Sequence, residues 1–111
     1  MSNMPKAYKK DEHKISLVMP VRNGMPYLKA CINSILSQTW TNWELIIIND
    51  HSTDNTTALL KEISNDDPRI QWHNNEGVGI TPALIKASTY CSGEMISRMD
   101  ADDLMLSLIH I

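Results

Sequence analysis

The sequence predicts an α/β fold in which a mostly parallel sheet is flanked by helices. Short apolar runs of strand length alternate with longer segments whose apolar residues recur at helical spacing. The apolar runs are continuous, as expected for parallel strands buried on both faces. Polar and acidic residues directly follow two of these runs, and ligands of open parallel sheets bind at the carboxyl ends of the strands. These observations place a ligand site at one edge of a single 111-residue domain.

The first strand and the first helix follow a polar amino-terminal stretch. Residues 15–19 form a brief apolar run that Pro20 closes, which favours a buried strand. After a turn at residues 23–24, Pro26 suits the first turn of a helix that ends near Gln38. The apolar face of this helix is expected to contain Leu28, Cys31, Ile32, Ile35 and Leu36.

The second strand is predicted at residues 45–48, which are apolar and rich in β-branched side chains. The polar residues 49–52 follow it. Ser52 or Thr53 is expected to cap a second helix, which ends before Pro68 because proline cannot continue it. The apolar face of this helix is expected to contain Leu59, Leu60 and Ile63.

A shorter third strand is predicted at residues 69–72, and a glycine-containing loop at residues 76–79. Thr81 suits the N-cap of a third helix, since a proline follows at the first helical position. The apolar face of this helix is expected to contain Ala83, Leu84, Ala87 and Tyr90. Gly93 ends this segment, and residues 95–99 are predicted to form a fourth strand.

Composition excludes several classes of protein. Ten basic and 13 acidic residues give a formal charge of -3, so the chain lacks the basic surface of a nucleic-acid-binding protein. Cys31 and Cys91 stand far apart, which predicts free thiols. Neither a signal peptide nor an apolar run of membrane-spanning length is present. We expect a cytoplasmic protein, and peripheral association of the full-length protein with the inner face of the membrane stays open.

Two acidic clusters follow predicted strands. Asp50 comes after the second strand, and Asp100, Asp102 and Asp103 come after the fourth. Three carboxylates within four residues repel one another unless a cation or hydrogen bonds compensate, and such oxygen ligands suit Mg2+ or Mn2+. The alternative is that Asp102 or Asp103 caps a helix while the other carboxylates lie in water. A calcium loop of the EF-hand type is disfavoured, because its turn glycine and distal glutamate are missing.

The four motifs at residues 18–23, 34–39, 48–54 and 93–103 together resemble the ordered signature of family 2 glycosyltransferases. The resemblance covers residues 15–103. It implies a GT-A fold, which is a Rossmann-like arrangement, and a nucleotide-diphosphate sugar donor, with a UDP-sugar favoured. It also implies a divalent metal ion, Mn2+ or Mg2+, at the Asp-x-Asp motif, a glycan or lipid-linked acceptor, and an inverting reaction.

The resemblance also implies roles for individual residues. Asp50 matches the aspartate that contacts the nucleotide base, and Asp100 is expected to face both the ribose and the metal. Asp102 is expected to ligate the metal directly. The implied nucleotide-sugar-binding residues are Pro20, Val21, Asn23, Asp50 and Asp100.

The chain departs from the family pattern at three positions. Asn49 stands where the family commonly has a second aspartate, and an amide contributes no charge. His51 occupies a loop position that is often glycine. Ile85 stands where an asparagine or arginine near the donor is usual. Arg98 could pair with the diphosphate, or the alternation of the strand could point it away.

By resemblance, residues 15–103 form the donor-binding part of a GT-A domain, preceded by a polar extension at 1–14 and followed by a truncated or non-native tail at 104–111. The family places its general base in a later segment, so we expect this chain to bind nucleotide without transferring sugar. The alternative function is a non-catalytic nucleotide-binding module. An aspartyl phosphotransferase ranks lower, because its Asp-x-Asp motif would follow the first strand rather than the fourth. A dinucleotide-binding oxidoreductase is disfavoured, because the first strand is not followed by the required glycine fingerprint.

Overall fold

The structure is a computed structural model and describes residues 13–25, 27–37 and 41–99. Within these ranges the strands are β1 (Ile15–Val21), β2 (Trp43–Asn49), β3 (Ile70–Asn74) and β4 (Met95–Arg98). The helices are α1 (Tyr27–Ser37), α2 (Thr56–Asp66) and α3 (Ile80–Ser88). The predictions for Pro26, Gln38, Asp100, Asp102, Asp103, residues 1–12 and the tail at 104–111 lie outside the described residues.

The four strands form one parallel sheet in the order β3-β2-β1-β4. This confirms the α/β prediction. β1 is central and pairs with both β2 and β4. Along the chain, β2 and β3 are therefore added on one side of β1, and β4 on the other. Each connection within the described residues passes through a helix, which parallel neighbouring strands require. The carboxyl ends of β1, β2 and β3 therefore lie along one edge.

The sheet is covered on both faces. One face packs against α1 and α2, through a core that includes Leu17, Leu45 and Ile47. The opposite face packs against α3, where Val18 and Ile46 contact helix residues. The two α3 residues in that contact are Ala83 and Ala87, whose small side chains let the helix lie close to the sheet. All seven residues of β2 are buried, which explains its continuous apolar sequence.

β1 is longer than predicted, since it continues through Pro20 to Val21. Proline has no N–H to donate, so its position in a central strand needs an explanation. The carbonyl oxygen of Val18 accepts a hydrogen bond from Met99, which places that side of β1 against β4. Pro20 lies two residues further along and faces the same side, beyond Arg98, where β4 ends. The next ladder bond would run from the N–H of residue 20 to the carbonyl oxygen of Met99, and proline cannot donate it, so the pairing of β1 with β4 ends at Val18 and Arg98.

The predicted start of α2 was wrong. Neither Ser52 nor Thr53 caps the helix, which begins at Thr56. Asp54 accepts hydrogen bonds from the Thr56 main chain and hydroxyl, and the hydroxyl contact holds the pKa of Asp54 below its usual value. The Ser52 hydroxyl instead accepts a bond from the main-chain N–H of Asn23, 29 residues earlier. The Ser52 side chain, which local capping rules assign to the helix, is thus used in a long-range contact with Asn23.

The predicted start of α3 was also wrong. The helix begins at Ile80, with Gly79 rather than Thr81 at the N-cap position. Tyr90 lies beyond the last helical residue and stacks on His73 of β3, with ring centroids 3.7 Å apart. Of the predicted α1 face, Leu36 is 44% exposed while the other four residues are buried.

Glu44 forms a buried polar cluster at the amino end of the sheet, opposite the carboxyl ends of the strands. Its carboxylate accepts hydrogen bonds from the Ser16 hydroxyl (2.6 Å) and from the main-chain N–H of Ser92 (2.6 Å). Lys14 Nζ lies 3.4 Å away. Burial acts to raise the pKa of Glu44, but these contacts outweigh it and leave the pKa below its usual value. The cluster ties the segment before β4 to β1 and β2.

Cys31 is buried and Cys91 is half-buried, and both are free thiols, as predicted. Across the parts of the chain that the structure describes, none of the helices is both long and apolar enough to cross a membrane.

Candidate functional site

Asp50 lies at the carboxyl end of β2, in the middle of the sheet edge, and is only 9% exposed. Its Oδ1 accepts a hydrogen bond from Asn75 Nδ2 (3.0 Å), and its Oδ2 accepts one from the main-chain N–H of Gly79 (3.1 Å). The N–H of Asp50 donates to the carbonyl oxygen of Val21 (2.7 Å). A carboxylate accepts about four hydrogen bonds, so each oxygen keeps capacity for a ligand. Asp50 is therefore a fixed acceptor at the ligand-binding edge.

Asn75 is a site residue that the sequence interpretation missed. It is 3% exposed and follows β3 directly. Its Nδ2 donates to Asp50 and also to the carbonyl oxygen of Gly79 (3.1 Å), and its Oδ1 accepts from the N–H of Gly77 (3.3 Å). One side chain thus shapes the loop at residues 75–79 and orients Asp50. The rule that drew attention to Asp50, a polar residue at the end of a strand, applies equally to Asn75.

Asn23 connects two loops at this edge. Its backbone is left-handed (φ 50), a conformation that asparagine tolerates better than most residues. Its Oδ1 accepts from the N–H groups of Thr53 (2.7 Å) and Asp54 (3.3 Å), while its own N–H donates to Ser52. Asn23 therefore holds the loop after β2 against the loop after β1. Its contact with a donor stays a prediction.

Pro20 and Val21, the other two predicted residues of the first loop, differ in exposure. Pro20 is half-buried, and its Cα partner across the sheet is Ile48. The Val21 side chain is 3% exposed and belongs to the core that packs against α1. Its carbonyl oxygen is the acceptor for Asp50, so Val21 positions the main chain of the site. Direct contact of either residue with a donor stays a prediction.

Asn49 shows why an amide stands next to Asp50. It is 4% exposed, its Nδ2 donates to the Thr57 hydroxyl (2.8 Å), and its Oδ1 accepts from the N–H of Ser52 (3.3 Å). The Thr57 hydroxyl could equally donate to an ionised aspartate, so the charge rather than this contact distinguishes the two side chains. The amide thus satisfies both neighbours and avoids a second buried charge beside Asp50.

His51 has a left-handed backbone (φ 58), which matches the glycine common at this position. Its Nε2 lies 2.8 Å from the carbonyl oxygen of Gly77 and 4.0 Å from Asp50 Oδ1. The side chain is 55% exposed. The imidazole therefore bridges the end of β2 and the loop after β3.

Ile85 and Trp43, both among the described residues, do not contact Asp50 through any hydrogen bond, and each has its own surroundings. Ile85 is 63% exposed and lines an open groove of about 540 Å³ beside Lys86 and Tyr90. Trp43 is 3% exposed at the amino end of β2, where the guanidinium carbon of Arg69 lies 4.0 Å from its ring centroid. Trp43 therefore packs in the core rather than stacking on a ligand.

The predicted metal ligands Asp100 and Asp102 come directly after β4, outside the described residues. In residues 13–25, 27–37 and 41–99, no three His, Cys, Asp or Glu side chains lie close enough together to hold a metal ion. The N–H of Met99 donates to the carbonyl oxygen of Val18 (2.9 Å), so the chain reaches its acidic motif in register with β1. Arg98 is exposed on β4, at the register position of Val18.

Sequence comparison finds one family along almost the whole chain. The model of the family described as Glycosyl transferase family 2 matches residues 16–107. Glycosyltransferase GlyA of Streptococcus pneumoniae is 36% identical over 83% of this chain and 13% of its own length. The UDP-Glc:alpha-D-GlcNAc-diphosphoundecaprenol beta-1,3-glucosyltransferase WfgD of Escherichia coli is 38% identical over 87% of this chain and 38% of its own length. The chain therefore spans well under half of either relative.

Structure comparison finds the same fold in solved glycosyltransferases. The mannosyltransferase PcManGT of Pyrobaculum calidifontis, in complex with GDP-Man and Mn2+, matches 86% of this chain and 30% of its own chain, with a TM-score of 0.75 and 22% identity. TarS of S. aureus, in complex with UDP-GlcNAc, matches 82% of this chain and 27% of its own, with a TM-score of 0.72 and 24% identity. These similarities confirm the predicted GT-A arrangement of the sheet.

Proposed function

Because the chain belongs to glycosyl transferase family 2, we propose that it supplies the donor-binding part of an enzyme that transfers a sugar from a nucleotide-diphosphate donor. The acceptor is a glycan or a lipid-linked glycan, and the reaction inverts the configuration of the sugar. The enzyme works in the cytoplasm, with peripheral association at the inner face of the membrane. Its general base belongs to the part of the relatives that this chain does not cover.

The fixed carboxylate of Asp50 is the observation that carries the proposal. It lies at the carboxyl edge of a parallel sheet, where ligands of such folds bind. Asn75 and the Gly79 N–H hold it in one orientation, so it presents acceptor oxygens without rearranging. A nucleotide base presents N–H groups in its plane, and a preoriented acceptor binds such groups at low entropic cost. Asp50 is thus suited to recognise the base.

Asp100 and Asp102 are suited to hold the divalent metal ion. Carboxylate oxygens are the ligands that Mg2+ and Mn2+ prefer, and a short run of aspartates has charge to be compensated. A bound ion of this kind stabilises the negative charge that develops on a departing diphosphate. Asp103 supports the site by hydrogen bonding or caps the following segment.

The relatives and the similar structures support a UDP-sugar as the favoured donor. WfgD is named for UDP-Glc and a diphosphoundecaprenol acceptor, and TarS was solved with UDP-GlcNAc. PcManGT was solved with GDP-Man, so the shared fold accommodates more than one base. A preference for uridine over guanosine is therefore the part of the proposal that most needs measurement.

The test is a thermal-shift titration of the chain with UDP, GDP and CDP, with and without Mn2+. Binding to the folded state raises the melting temperature by mass action. We expect UDP together with Mn2+ to raise it most, and Asp102→Asn to abolish the part of the shift that requires the metal. Asp66→Asn is the matched control, because it makes the same chemical change on an exposed residue at the end of α2.

Three results would count against the proposal in different ways. A folded chain with no shift from any nucleotide contradicts donor binding. If nucleotide raises the melting temperature equally with and without Mn2+ and equally in Asp102→Asn, the result supports the alternative function, a nucleotide-binding module without metal chemistry. A larger shift with GDP than with UDP contradicts the uridine preference alone.

A further inference from the structure

The loop at residues 75–79 is held in place by contacts from three directions. Asp50 accepts hydrogen bonds from the Gly79 N–H and from the Asn75 side chain. Lys86 of α3 donates to the carbonyl oxygen of Asn74 and to Glu76 Oε1. His51 contacts the middle of the loop, at the carbonyl oxygen of Gly77. Because His51 directly follows Asp50 in the chain, its contact with Gly77 joins the loop to the end of β2.

The backbone of His51 is strained, and its side chain provides a reason. A left-handed conformation costs free energy for any residue other than glycine. In this conformation the imidazole extends from the end of β2 toward the loop, and Nε2 lies 2.8 Å from the Gly77 oxygen. Because a carbonyl only accepts, Nε2 carries the proton. Glycine at this position would relieve the strain and lose the contact.

The loop has little space to move toward α3. A Cβ atom on Gly77 would lie 2.8 Å from Cβ of Pro82, so the main chain of Gly77 already lies against the first turn of the helix. Around Gly79, in contrast, no heavy atom lies within 4 Å of the corresponding Cβ position. Pro82 therefore limits movement of Gly77 toward α3, while Gly79 is held by its N–H bond to Asp50 and by the contact of its carbonyl oxygen with Asn75.

We propose that His51 is a positioning residue that keeps the loop at residues 75–79 closed against Asp50 and thereby raises affinity for the nucleotide. His51 contacts the loop rather than the reacting atoms, so it acts through Asp50 and Gly79. This inference rests on the proposed function, because the orientation of Asp50 matters for affinity only if Asp50 binds the base.

Three variants separate the contact from the backbone strain. His51→Gly keeps the left-handed backbone without strain and removes the hydrogen bond. His51→Ala removes the bond and keeps the strain. His51→Gln is the conservative rescue, because its terminal amide nitrogen can occupy the position of Nε2 and donate to Gly77.

The measurements are hydrogen exchange at the Gly79 amide, the Kd for UDP with Mn2+, and the melting temperature. We expect His51→Gly to speed Gly79 exchange and to weaken UDP binding by about threefold to tenfold, the range of one net hydrogen bond, without lowering the melting temperature. His51→Gln is expected to restore most of both losses. A purely structural role would instead lower the melting temperature together with the affinity.

The outcomes distinguish this inference from the proposed function. Unchanged Gly79 exchange in His51→Gly overturns the inference whether or not nucleotide binds. Faster exchange with unchanged UDP affinity shows that loop closure does not serve binding, which also overturns it. If the unaltered chain binds no nucleotide with Mn2+, the proposed function fails, and the affinity part of this inference fails with it.

Discussion

Glu44 is a carboxylate buried within the fold, 7% exposed, and three groups stabilise its charge. Ser16 and Ser92 donate hydrogen bonds to it, and Lys14 lies within ion-pair distance. A buried charge is tolerated only when such contacts compensate for the water it has lost. Because its pKa is lower in the folded chain, the folded state binds the Glu44 proton less tightly than the unfolded state. The contribution of Glu44 to stability is therefore present above the unfolded pKa and is lost as the pH falls through the folded pKa.

We expect Glu44→Gln to lower the free energy of unfolding at pH 7 by about 1–3 kcal/mol. With its oxygen kept toward Ser16 and the Ser92 N–H, the amide turns its NH2 group toward Lys14 Nζ and loses the charged hydrogen bonds. Below about pH 4.3, the ordinary pKa of glutamate, the difference between the variant and the unaltered chain should shrink. Urea unfolding between pH 3 and 7 measures both effects. Glu62→Gln, on the exposed face of α2, is the control and should change stability little. A constant difference across this pH range would contradict the role assigned to the Glu44 charge.

At the opposite end of the sheet, polar side chains are likewise held by hydrogen bonds within the fold: Asn49, Asn75 and His51. Each uses its side chain to bind the main chain or a neighbouring hydroxyl: Asn49 binds Thr57, Asn75 binds Gly79, and His51 binds Gly77. These contacts give the loops a single arrangement around Asp50. Side chains that are not expected to touch a ligand therefore build part of the site.

The connection from α3 into β4 lies close against the amino end of β1. Gly93 lies so close to β1 that an added Cβ would be 2.6 Å from Ser16 Oγ and 2.7 Å from the carbonyl oxygen of Lys14. The N–H of Gly93 also donates to Ser16 Oγ (2.8 Å). This close approach brings β4 into register with β1. A main-chain oxygen cannot move aside as a flexible side chain can, so the position requires glycine.

We expect Gly93→Ala to destabilise the chain by about 1–3 kcal/mol through overpacking against β1. Without this clash, alanine would stabilise the folded chain, because it has fewer backbone conformations than glycine in the unfolded state. The sign of the change in the free energy of unfolding therefore shows whether the close approach is present. Chemical denaturation measures it, and Asn65→Ala on exposed α2 serves as the control with little expected change. An increase in stability for Gly93→Ala would show that the segment before β4 is looser than the structure indicates.

β4 is also the strand with the most exposed apolar surface. Met95 is 48% exposed and Ile96 is 58% exposed, and within the described residues β4 pairs only with β1. An apolar strand at the edge of a sheet is a template for pairing with another chain. The 111-residue chain, which spans less than half of its relatives, therefore presents a surface suited to self-association.

We expect the chain to associate in a concentration-dependent way and Ile96→Lys to reduce this association, because a charged residue on an edge strand opposes pairing. Sedimentation velocity at increasing protein concentration measures the effect. Ile85→Lys is the matched control, since it adds the same charge to an exposed isoleucine on α3. If both variants reduce association equally, net charge rather than the β4 edge is responsible, and a monomer at all concentrations contradicts the prediction.

Local patterns in the sequence were enough to predict the alternation of strands and helices, the parallel sheet, the family and the position of Asp50 at the carboxyl edge. The alternation, the sheet and the position of Asp50 follow from apolar periodicity and from the residues that end each strand, which are properties of neighbouring residues. The family follows from the resemblance of four ordered motifs. The helix starts, the roles of Asn75 and His51, and the Glu44 cluster could not be obtained in this way. Ser52 binds Asn23, His51 binds Gly77 and Glu44 binds Ser92 across 29, 26 and 48 residues, respectively. Such partners are chosen by the three-dimensional proximity that folding creates, because a side chain that can satisfy a nearby helix can equally satisfy a distant loop.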